Sequence, residues 1–117
     1  MSDINLGTID LVIPSGAALS NEVPLMGKVI IGLQMPAAWD AANLTFLSGA
    51  VAGALGNVYD ESAELTVQTA AGRFHALSAD KWGGFRRIQL RSGTSATPVN
   101  QTAARTITVI VRERGAR

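Results

Sequence analysis

The 117-residue sequence contains no cysteine, which excludes a disulfide framework and any thiolate zinc site. It holds a single histidine, His75, so a catalytic triad or a metal centre has little to draw on. No GxSxG elbow, GxGxxG loop or Walker pattern occurs. Aromatic side chains are scarce: Trp39, Trp82, Tyr59 and three phenylalanines. No apolar run approaches the ~20 residues that span a bilayer, and "MSDINLGTIDLVIPSG" lacks the basic start of a secretory signal. These absences predict one soluble domain over residues 1–117, with no enzymatic activity, cofactor, metal or membrane partner.

Charge is low and nearly balanced, with a net value of +1. Residues 1–64 nevertheless carry seven acids and one base, Lys28, whereas residues 65–117 carry nine bases and two acids. Early and late strands interleave in a sandwich, so this asymmetry need not make two poles. A near-neutral total argues against nucleic-acid binding, which favours a clearly basic domain.

What the chain does have is alternation with a period of two. "RTITVIVR" sets Ile107, Val109 and Val111 against Thr106, Thr108 and Ile110. "RIQLRS", "ELTVQT" and "LTFLS" alternate in the same way, as strands with one face on a core do. "IDLVI" (9–13) and "KVIIGLQM" (28–35) are richer in aliphatics and read as more fully buried strands. "RFHAL" (73–77) is a shorter one, with His75 a partly exposed strand residue. Glycine and proline punctuate these runs, and all four prolines flank them. The only helix-like stretch is "AAWDAANL" (37–44). The pattern predicts an all-β fold, an antiparallel β-sandwich of jelly-roll type with about eight strands.

Four features are candidates for function. Asp60, Glu61 and Glu64 crowd one turn; oxygen-rich turns can hold calcium, but EF-hand spacing is absent and a solvated acidic turn is the plainer reading. Trp39, Tyr59 and Trp82 are the aromatics available to stack on a sugar, or to plug the ends of the sandwich. Gly49-Ala50-Val51-Ala52-Gly53-Ala54-Leu55-Gly56 forms an apolar connection without one polar side chain. Such a segment is either tucked against its own core or covered by another chain. Finally, the uncharged loop from Gly93 to Ala104, with Thr94, Pro98, Asn100 and Gln101, is a candidate docking loop. Arg86, Arg87 and Arg91 are its candidate rim anchors.

The segments "GKVIIGLQMPAAWDAANLTFLSG", "NVYDESAELTVQTAAGRFHAL" and "FRRIQLRSGTSATPVNQTAARTITVIVR" carry a resemblance. Met35-Pro36-Ala37-Ala38-Trp39, Leu44-Thr45-Phe46, Tyr59-Asp60, Leu90-Arg91-Ser92-Gly93-Thr94 and Pro98-Val99-Asn100-Gln101 resemble small β-sandwich proteins encoded among the structural genes of tailed bacteriophages and prophages. The likeness spans roughly residues 10 to 112. It implies a virion component made in the bacterial host cytoplasm, a capsid decoration (cement) protein, head fibre or spike base, with tail or baseplate as the second setting. The implied partners are further copies of itself, in a trimer, and other virion proteins such as the major capsid protein. The fold also resembles carbohydrate-binding modules, which leaves a glycan-binding domain for host attachment as the alternative. The chain departs from the family where a polar turn is expected after "LTF". Its "SGAVAGALG" favours a protein contact there over a ligand.

Overall fold

The computed structural model describes residues 6–113. The chain runs β1 (Leu6–Ile13), β2 (Val23–Pro24), β3 (Lys28–Gln34), β4 (Leu44–Gly49), β5 (Gly56–Asn57), β6 (Tyr59–Asp60), β7 (Ala63–Glu64), β8 (Phe74–Ala76), α1 (Ala79–Trp82), β9 (Arg87–Ser92) and β10 (Arg105–Glu113). Two four-stranded sheets have the orders β1-β10-β3-β8 and β2-β9-β4-β5, and β6-β7 is a separate ribbon. The pairs β1·β10, β2·β9, β3·β8 and β4·β5 are all antiparallel. Once the ribbon is set aside, first strand pairs with last, second with last but one, and so inward. That is a long hairpin rolled into two sheets, the jelly roll expected from the alternation. Among the described residues the strands number ten, not about eight. The short strands β2, β5 and β6 fall outside the alternating runs, because two residues are too few to show periodicity.

Alternation places the core. Ile107, Val109 and Val111 of β10, Ile88 and Leu90 of β9, and Leu44 and Phe46 of β4 are all buried between the sheets. Leu11 and Ile13 of β1 and Ile30 and Leu33 of β3 meet them in one cluster. Trp82 closes that cluster at 3% exposure, edge-on to Phe46 at 4.8 Å and to Phe85 at 5.3 Å. Each such side chain stabilises the fold by roughly 1.5–3 kcal/mol through the apolar surface it removes from water.

Three expectations differ from the structure. Residues 37–44 form no helix; among the described residues the single helical turn is α1. Pro36 opens the 37–43 segment, and Trp39 Nε1 donates to the Ala42 carbonyl at 3.0 Å, which favours a compact loop. β1 is an edge strand whose Asp10 and Val12 alternate with the buried Leu11 and Ile13 and face outward, while β3 in mid-sheet is buried along most of its length. "ELTVQT" contributes only Glu64 to a named strand, although Leu65 turns inward and Val67 bridges to Leu44.

The registers separate the connections into two groups. The turn at 25–27, the loop at 50–55 and the segment at 83–86 gather at one end of the sandwich, the near end. The loops 14–18, 35–43, 65–73 and 93–104 gather at the far end, and residues 19–22 run back along β9 to the near end.

Candidate interaction surface

The near end carries an open groove of about 470 Å³, lined by Pro24, Met26, Gly27, Ala50, Gly84, Phe85, Arg86 and Arg87. Its centre is a tight turn in which Lys28 donates its backbone N–H to the Leu25 carbonyl at 3.0 Å. Both central residues are left-handed, Met26 at φ 54° and Gly27 at φ 81°. Glycine accepts that conformation freely, but a long side chain at φ > 0 is uncommon and strained. Met26 is nonetheless 79% exposed. On its other flank a shallower depression of about 300 Å³ runs along Gly7, Thr8, Ile9, Lys28 and Val111.

The groove wall is held by Glu22. Its carboxylate accepts from Arg87 Nε at 2.7 Å and from the Gly53 backbone N–H at 3.1 Å, while Ser48 Oγ donates to the Arg87 carbonyl at 2.6 Å. The Arg87 hydrogen bond, then that of Gly53, lowers the Glu22 pKa from its usual value. Arg87 is therefore a pinned wall residue. Arg86 is exposed and has no acidic partner among the described residues.

The apolar 49–56 stretch is mostly not tucked into its own core. Gly49 and Leu55 are half-buried against each other, whereas Ala50, Val51, Ala52, Gly53, Ala54 and Gly56 are exposed. Ala50 faces the groove, and the exposed apolar surface thus continues from Met26 toward Val51.

The candidate docking loop and its rim do not form one surface. Arg86 and Arg87 lie at the near end, and Thr94, Pro98 and Asn100 at the far end, with the roughly 17 Å length of β9 between them. Two members are corrected outright. Arg91 is buried, its Nε donating to Thr45 Oγ1 at 3.0 Å, Nη1 to Asn57 Oδ1 at 2.9 Å and Nη2 to Glu64 Oε2 at 2.6 Å. Gln101 is fully buried; its amide donates to the Asp40 carbonyl and Ser92 Oγ and accepts from the Asp40 N–H and Arg105 Nε. Both are internal ties rather than rim, because a buried charge or amide must satisfy its hydrogen bonds inside the fold. Thr94 is half-buried and accepts the Thr97 N–H, while Pro98 and Asn100 are exposed.

The aromatics part ways as well. Trp82 is a core plug, not a sugar platform, because the one-turn helix α1 turns it inward. Trp39 is half-buried with its N–H engaged. Tyr59 stays exposed on the β6-β7 ribbon. Asp60 and Glu64 are spent on separate cations, Lys81 at 2.7 Å and Arg91 at 2.6 Å. Among the described residues, no group of three His, Asp or Glu side chains is arranged to hold a metal ion. His75 is half-buried in β8, Nε2 2.8 Å from Thr69 Oγ1.

Sequence reasoning missed Met26, Phe85, Glu22 and the exposed Phe74. The one available signal was "LMGK", a turn that places methionine where asparagine or aspartate is favoured. No protein-family model and no curated protein sequence matches the chain.

Proposed function

We propose that this protein is a structural component of a tailed-bacteriophage virion, a capsid-associated decoration or head-fibre protein that works by self-association and contact with other virion proteins. The observation that carries the contact role is the near-end groove. An exposed methionine, held in a strained turn, sits among Pro24, Ala50 and Phe85 with the exposed Arg86 at the edge. Apolar centres with polar, arginine-bearing margins are what protein interfaces are made of. Methionine suits such a surface because its flexible thioether adapts to the partner. The phage setting itself rests on the sequence resemblance. Mass spectrometry of purified particles from a phage encoding the chain tests it: copies comparable to the capsid protein are expected in heads. Particles that lack it would sink the proposal, and copies found only in tails would move it to the baseplate setting.

A glycan-binding role keeps one specific observation. Phe74 is 53% exposed on the outer face of the β1-β10-β3-β8 sheet, its ring tip over Gly32, where an added Cβ would lie 2.8 Å from Cζ. The same cross-strand row holds Gln34, Thr108 and Asp10. A glycan array on wild-type protein and on Phe74→Ala separates this reading, since only sugar stacking makes a signal depend on Phe74.

A further inference from the structure

The near-end groove has a complement on the same molecule. Its lining carries two bases and no acid. Of these, Arg87 is paired with Glu22, while Lys28, on the other flank of Met26, makes no ion pair among the described residues and has Glu113 as its register neighbour across β3·β10. The ribbon of β6 and β7 has the opposite character: Tyr59 is 56% exposed, Glu61 forms its exposed tip, and Glu61 has no cationic partner among the described residues. None of the groove-lining residues belongs to the chain's own ribbon.

Among the described residues, Met26 at φ 54° and Glu61 at φ 64° are the only non-glycines in the left-handed region. Each sits at the tip of a two-residue turn where asparagine or glycine would relieve strain. One tip is apolar and flanked by the cations Arg86 and Lys28; the other is acidic and flanked by an exposed aromatic.

We infer that the groove around Met26 receives the Tyr59–Glu64 ribbon of a second copy of this chain, with Glu61 opposite Arg86 and Lys28. This rests on the reading that the groove is a protein interface, and it names the partner. Groove and ribbon are different patches, so the contact is head-to-tail. Such contacts close into rings when the rotation allows and otherwise grow as filaments. A trimer is one such ring.

The test is the oligomeric state across a concentration series, by sedimentation, for wild type, Met26→Asn, Arg86→Glu, Glu61→Arg and the double variant Arg86→Glu with Glu61→Arg. Wild type is expected to associate. Each charge reversal weakens association by about tenfold or more, because like charges then face one another, and the double variant regains most of the loss. Met26→Asn is expected to dissociate the oligomer while melting no lower than wild type, since asparagine suits the turn. A wild type that stays monomeric to high concentration overturns the inference. So does an oligomer that Glu61→Arg leaves intact, or a double variant no better than its parents. A monomer that is present in purified heads would remove this contact and leave the virion reading standing; an oligomer absent from particles would do the reverse.

Discussion

Arg91 Nη2 lies 2.6 Å from Glu64 Oε2, with both side chains largely withdrawn from water. The carboxylate also accepts the Ser95 backbone N–H at 3.2 Å, so one ion pair ties β9, the β6-β7 ribbon and the far-end loop together. Glu64→Gln leaves the guanidinium buried without its counter-charge. A loss of about 3 kcal/mol in urea denaturation is expected, the usual consequence of removing one partner from a buried pair. A loss below about 0.5 kcal/mol would mean that Thr45 and Asn57 hold Arg91 unaided.

Gly93 begins the far-end loop at φ 89°, and a Cβ there would collide with the Thr97 carbonyl and lie 2.7 Å from the Val99 nitrogen. Both neighbours are backbone, locked by the Thr94–Thr97 and Ser92–Val99 hydrogen bonds. Gly93→Ala should therefore destabilise the fold by more than about 3 kcal/mol, adding overlap to left-handed strain. An unchanged melting temperature would show that the loop can reopen freely.

Asp40 joins the 35–43 and 93–104 loops. Its carboxylate accepts from the Thr102 N–H at 2.7 Å, the Thr102 hydroxyl at 3.2 Å and Arg105 Nη2 at 2.8 Å. These contacts, the Thr102 N–H foremost, lower its pKa from the usual 3.8 despite some desolvation. The unfolded chain thus takes up the proton first as pH falls. The stabilisation is complete above the unfolded value and is lost as pH drops through the lower folded one. Denaturation curves from pH 7 to pH 2 should show a shallower acid limb for Asp40→Asn than for wild type. Parallel limbs would exclude the coupling.

His75 titrates the other way round in charge but with the same sign in pH. Burial first, and Arg73 second, lower its pKa from 6.5. The unfolded state binds the proton more readily, so stability is full above about pH 6.5 and declines as pH falls toward the folded value. An NMR titration should place the folded His75 below 6.5, and His75→Gln should remove the slope in that window. A titration at or above 6.5 would contradict the burial.

The period-two runs made most of the sandwich legible. Ile107, Val109, Val111, Ile88, Leu90, Leu44 and Phe46 all point where alternation puts them, because a strand has only two faces. The far-end loop was legible as a connection but not as a set of ties. Nothing in "RSGT" or "PVNQ" shows that Arg91 meets Glu64, 27 residues away, or that Gln101 meets Asp40, 61 residues away.

By itself the sequence determined the class of fold and the inward faces, since hydrophobic periodicity is a local property that burial must obey. Only the tertiary structure decided which exposed residues share a surface. Met26, Ala50, Phe85 and Arg86 come from three different connections, brought to one end by the rolling of the hairpin. Arg91, which looks like a surface residue in the sequence, is claimed by the core, and Trp82, which the sequence leaves open between sugar platform and end plug, is the plug, because long-range packing and pairing decide burial where composition is silent.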